Sequence, residues 1–162
     1  MKKKAFVILL TMLTAHFAFG SAVPVALAQP QAKLLMASPK SVAGDPYFEE
    51  VVRNQKDGPA FERAKIEYLI ERIRASHFTF VRNREDHTAR EAANHLSMKW
   101  YRAVNLIHSA RNFIKYIASN SSFTGQPYLV KFKNGHTLPA QDILTNELDH
   151  LEFLVAQTSK AA

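Results

Sequence analysis

Only two stretches of this chain, residues 78–82 and 127–132, carry the aromatic and β-branched alternation of strands, and both are set among helical patterns. Two strands can pair only with each other. A lone two-stranded ribbon is marginal in water, so it must lie against the helices. Four apolar stripes at helical spacing surround the pair. The first is Ile66, Leu69, Ile70 and Ile73, and the second is Ala92, Leu96, Trp100, Ala103 and Ile107. Ala110, Phe113, Ile114 and Ile117 make the third, and Leu144, Leu148, Leu151 and Val155 the fourth. The order helix, strand, helix, helix, strand, helix predicts an α+β fold of about four helices packed with a short two-stranded antiparallel ribbon.

Local signals fix several boundaries. Thr88 and Glu91 have the spacing of a capping box, which starts the second helix and ends it near Leu106. Ser109 is placed to cap the third helix, Asn134 and Gly135 to turn the chain after the second strand, and Pro139 to open the last helix. On the first helix Glu62, Lys65, Glu67, Glu71 and Arg72 are expected to face water. Upstream, Asp45 and Pro46 predict one short helix with Phe48, Val51 and Val52 as its apolar side.

The chain has 162 residues and divides into three parts. Residues 1–28 combine Lys2, Lys3 and Lys4, an apolar run from Ala5 to Phe19 and the small-residue ending Ala26, Leu27, Ala28. That is the pattern of a secretory signal peptide cut after Ala28. Residues 29–60, rich in Pro, Gly, Ser and Lys, read as a flexible tether. Residues 61–157 are the expected single compact domain, and cleavage leaves 134 residues, enough for a real core. The leader holds three of the 21 Lys and Arg and none of the 14 acids, so the net charge falls from +7 to +4. The absence of cysteine excludes disulfides and a lipoprotein anchor. The expected location is the periplasm, with no nucleic acid among the partners and no stable membrane anchor after cleavage.

The polar residues give no catalytic motif. His87, Glu91 and His95 recur every four residues, but a cap at Thr88 leaves His87 outside the helix and turns Glu91 back on the backbone. No metal, cofactor or catalytic residue is therefore assigned. The serines Ser119, Ser121 and Ser122, with Thr124, are expected to cap and solvate a break in the chain. The 121–125 loop, with Gly125, has the alternative of presenting hydroxyl and N–H groups to an anion. Arg82, Arg84 and Arg90 with Asn83 form the densest basic cluster. It suits carboxylate or phosphate recognition unless Glu85, Asp86 and Glu91 neutralise it.

A set of spaced residues extends through these segments: Phe80 to Asn83, His87 and Thr88, Glu91 and Ala92, His95 and Leu96, Lys99, Phe113 and Ile114, Ile117 to Ser119, Ser121 and Ser122, Thr124 and Gly125, Pro127 and Tyr128. In these the chain resembles the YfeK-like proteins, small exported proteins of Gram-negative bacteria grouped as a domain of unknown function. The resemblance covers residues 66–148 and implies a single periplasmic domain with no assigned reaction, cofactor or site. Arg84 stands where the family pattern leads one to expect glycine, which puts the turn after Asn83 in question. The tether is also longer than a minimal member needs. The expected function is a non-enzymatic accessory or binding module of the cell envelope, with an unidentified envelope protein or an anionic ligand as partner. Its contact surface is expected at Arg82, Asn83, His87, Ser122, Thr124, Gly125 and Tyr128. An envelope hydrolase using His87 or His95 with Glu91 is the alternative.

Overall fold

The computed structural model describes Leu35, Met36, Val42 and residues 44–161. The expected signal peptide and most of the tether before Gly44 lie outside the described residues. Helix α1 (Pro46–Arg53) forms where Asp45 and Pro46 predict it, the Asp45 carboxylate accepting from the Tyr47 N–H at 2.9 Å. Its Val51 is fully buried, with Phe48 and Val52 packed on the core. From Pro46 onward the expected tether is thus part of the folded domain. Helix α2 (Gly58–Ala75) opens three residues before Phe61, capped by Asp57.

α2 is buried on more than one side, because α1, α3, α4 and α5 all pack on it. Two residues expected in water are therefore inside. Lys65 reaches the carboxylates of Glu62 and Glu152 at 2.5 and 3.0 Å. Arg72, 4% exposed, sets its Nε 2.6 Å from Glu147, which is 0% exposed on α5. The Met36 N–H donates to the other Glu147 oxygen at 2.9 Å, and the Tyr68 hydroxyl approaches at 3.4 Å. A carboxylate taken fully from water stays ionised only with such partners. Burial, followed by the negative charge of Glu147, pushes the Tyr68 hydroxyl above its ordinary value, so it remains a donor.

The fold is α+β and mostly helical, as expected, but the ribbon is wider: four antiparallel strands in the order β2-β1-β3-β4. β1 (Thr79–Arg82) and β3 (Leu129–Lys131) are the two predicted strands, and they do pair, Phe80 opposite Val130. Each also carries an edge partner without strand-like composition. β2 (Glu85–Thr88) is charged and pairs with β1, and β4 (Thr137–Pro139) ends in proline and pairs with β3. Edge strands tolerate charge and proline because one side of their backbone needs no partner. The two-residue β1–β2 turn has φ of 53° at Asn83 and 72° at Arg84. Positive φ at both central residues is what a type I′ hairpin requires. Arg84 thus keeps the backbone conformation that glycine prefers. The β3–β4 turn uses Gly135 at φ 83°, as the Asn134 and Gly135 pair predicts.

Cross-strand register lines up His87, Phe80, Val130 and Leu138 in one row. Phe80 and Val130 are buried, so this is the core face of the sheet. Helix α3 (Ala89–Arg102) starts with the expected capping box and buries Ala89, Ala93 and Leu96; Ala92 and Trp100 are half-buried, so the stripe is turned slightly from that expected. Helix α4 (Ala110–Phe113), capped by Ser109, widens into a π turn over Ile114–Ala118. Helix α5 (Ala140–Ala161) buries the predicted Leu144, Leu148, Leu151 and Val155, together with Glu147 in the same row. Among the described residues no helix is long and apolar enough to cross a membrane.

Three stability outcomes follow from these features. Glu147→Ala leaves Arg72 charged in the interior and is expected to lower the unfolding free energy by about 3–5 kcal/mol. Arg72→Met with Glu147→Met is expected to lose less than Glu147→Ala, since no buried charge is stranded; urea unfolding of the set checks both. Arg84→Gly relieves a positive φ on a side chain and is expected to add about 0.5–1 kcal/mol in the same assay.

Candidate functional site

The sheet twist and the α3 cap bring one end of β1, the middle of α3 and the 119–128 loop to a single cleft. Its wall includes Arg82 and Asn83 from the sheet, His95, Lys99 and Arg102 from α3, and Ser121, Ser122, Phe123 and Tyr128 from the loop and the approach to β3. The loop is pinned to the sheet end by a hydrogen bond from the Thr124 hydroxyl to the Asn83 side-chain oxygen at 2.6 Å. Gly125, at φ 71°, makes the tight return that lets the Ser121 N–H donate to the Gln126 carbonyl at 2.9 Å.

Lys99 is the tie at the centre. Its ammonium donates to the carbonyls of Ile117 and Asn120 at 2.7 and 3.1 Å and to the Tyr128 hydroxyl at 3.3 Å. The π turn explains why these carbonyls are on offer: the Ser119 hydroxyl donates five residues back to Ile114, and the wide turn shifts the hydrogen-bond ladder. Lysine has donors only, so the Tyr128 oxygen accepts from it, and the hydroxyl proton is left for His95 Nε2 at 3.2 Å. Burial holds His95 down to about 4, with Arg82, Lys99 and His87 adding positive charge in the same direction. Burial also lowers Lys99, helped by Arg82, and raises Tyr128, with Arg82 opposing.

Behind this cleft lies a small cavity of about 30 Å³, walled by apolar side chains that include Ile73, Phe80, Leu96 and Leu144. Arg82, His95 and Tyr128 line both spaces. His87, opposite Phe80, lines the cavity, its Nε2 shut off from solvent without a hydrogen-bond partner. Glu91 also borders the cavity, but its carboxylate accepts from the Thr88 N–H at 2.8 Å and the Thr88 hydroxyl at 2.9 Å. Those hydrogen bonds hold it below the usual carboxylate range.

The structure therefore brings together Arg82, Asn83, Ser122, Thr124, Gly125 and Tyr128 on one side of the domain, with His87 one layer behind in the cavity. Arg84 and Arg90 are exposed and do not line the cleft. Two of the acids that might have neutralised the cluster are engaged elsewhere, Asp86 with Lys131 at 2.6 Å and Glu91 in the cap, while Glu85 lies opposite Arg82 in the strand register without forming an ion pair with it. Sequence reasoning assigned no ligand role to Lys99 or Arg102. His95, Lys99 and Arg102 do fall at i, i+4, i+7, one polar stripe of α3, and that spacing was the available signal. Among the described residues, no three His, Asp or Glu side chains are grouped to hold a metal.

What the cleft can do follows from its charge. Arg82, Lys99 and Arg102 take no part in any ion pair of the described residues. Phe123 stands at the rim 95% exposed. Such a surface offers donors and positive charge, with an aromatic face beside them.

Residues 60–152 match the model of a family described as a family of unknown function, DUF5329. A stretch of 70 residues is 40% identical to a protein of Salmonella typhimurium named "Uncharacterized protein YfeK", covering 43% of this chain and 58% of that relative. The match thus spans less than two thirds of the relative's length. No solved structure matches. The family match runs from the start of α2 through most of α5 and takes in both sides of the cleft, and the chain belongs to this YfeK-like family of unknown function.

Proposed function

We propose that this protein is a small periplasmic binding module of the cell envelope, non-enzymatic, whose ligand presents an anion to the cleft between α3 and the 121–128 loop. The observation that carries the reading is the convergence of Arg82, Lys99 and Arg102 on one opening without an acidic partner. Unneutralised guanidinium groups on a folded surface repel one another and are relieved by a bound carboxylate, phosphate or sulfate. Lys99 spends part of its charge on backbone carbonyls, so Arg82 and Arg102 are the ligand's main contacts and Lys99 chiefly holds the walls in place. The envelope address rests on the N-terminal leader, and the non-enzymatic reading on the engagement of Glu91 in the helix cap and of His95 with Tyr128.

Sulfate is a suitable probe because its charge is constant near neutrality. Calorimetric titration is expected to show binding that Arg82→Gln with Arg102→Gln weakens at least about tenfold, the scale of one lost charge-assisted contact or more. Arg90→Gln, outside the cleft, is expected to leave it unchanged; equal losses in both variants would point to nonspecific charge.

The pH dependence carries a second outcome. With a folded value of about 4 against 6.5 in an ordinary setting, His95 stays neutral across the physiological range. Sulfate affinity should then vary less than about twofold between about pH 5.5 and 8, whereas a titrating histidine in the cleft would raise it steadily on acidification. Linkage gives the sign for stability: the unfolded chain takes the His95 proton first. This contribution is complete above about 6.5, is lost as pH falls toward about 4, and levels off below. The imidazole resonances of His95 followed by NMR through the same range check the midpoint.

A further inference from the structure

We infer that the anion is the head of a short amphiphile, an alkyl carboxylate, whose tail enters the apolar cavity behind the cleft. This rests on the anion-binding reading above and names the class of ligand within it. Three side chains, Arg82, His95 and Tyr128, are walls of both the charged cleft and the apolar cavity, so the two spaces adjoin. A head held at Arg82 has the cavity directly beneath it. On the wall that the two spaces share, His95 Nε2 meets the Tyr128 hydroxyl at 3.2 Å, with the rings edge to face at 6.1 Å.

The inner walls suit hydrocarbon. Ile73, Phe80, Leu96 and Leu144 come from α2, β1, α3 and α5, and the one carboxylate on the border, Glu91, is held in the helix cap. His95 is neutral at ordinary pH, so no cation of its own faces the tail. A cavity of about 30 Å³ holds about one methyl or methylene group and no long acyl chain. His87 Nε2, unpartnered on that wall, is one hydrogen-bonding atom available to a polar substituent on the tail.

The test is a calorimetric series with sulfate, acetate, propionate, butyrate and hexanoate on the full folded protein at neutral pH. The methylene that enters the cavity is expected to tighten binding about fourfold over acetate, with the gain complete by propionate or butyrate. Ala92→Leu, on the cavity wall, is expected to abolish the chain-length gain while sulfate binding stays as in the parent. Leu96→Ala enlarges the cavity and is expected to carry the gain to longer chains, which keeps the test open if the first variant does not fold. Equal affinity for acetate, butyrate and hexanoate, with sulfate still bound, overturns the amphiphile inference and leaves the anion reading standing. Failure of every anion to bind overturns both.

Discussion

One buried ion pair organises this domain. Glu147 has no exposed surface, and Arg72, the Met36 N–H and the Tyr68 hydroxyl surround its carboxylate. Those groups come from α5, α2 and the segment before α1, so the pair joins parts of the chain that are 75 and 111 residues apart from Glu147. An interior carboxylate accepts few alternative arrangements, because any other register of α2 against α5 strands a charge in apolar surroundings. The neighbours of the pair, Ile73 and Leu144, are walls of the cavity behind the cleft. The ion pair therefore sets the spacing of the helices on which the inner half of the site rests.

The outer half depends on a different tie. Lys99 reaches from α3 to the end of the π turn and to Tyr128, joining the helix layer to the loop that enters β3. The π turn costs regular helical hydrogen bonding and releases carbonyls that the lysine satisfies. Asn83 and Thr124 close the opposite rim. Between these ties Arg82 and Arg102 are left facing the opening. A cleft whose walls are tied by hydrogen bonds and whose cations form no ion pair is suited to recognition, since part of the ordering cost of binding is met in folding.

Much of this was legible in the chain, and the rest was hidden for identifiable reasons. The capping box at Thr88, the caps at Asp45 and Ser109 and the turn at Gly135 act within a few residues, and local chemistry decides them. The paired strands β1 and β3 stand out because they are central and apolar. Their edge partners do not: β2 is Glu, Asp, His and Thr, and the turn into it lacks the glycine that advertises a hairpin. Lys65 and Arg72 fell on faces that look solvated, and their burial is decided by partners far along the sequence. At the candidate site, Arg82, Asn83 and the 122–128 residues were visible as polar groups at strand ends. Arg102 and Lys99 were not, because a basic residue on a helix is usually a solvated one, and only the fold shows which face it shares.

The claim on which the account turns is that one cleft, and no other surface, receives the anion. Mapping backbone amide shifts by NMR during a butyrate titration tests it most directly. The largest changes are expected at Arg82 and Asn83, at His95 to Arg102, and at Ser121 to Tyr128, saturating together. Shifts concentrated on the opposite charge cluster of Lys65, Arg111 and Glu152, or spread evenly over the lysines and arginines without saturation, would contradict it.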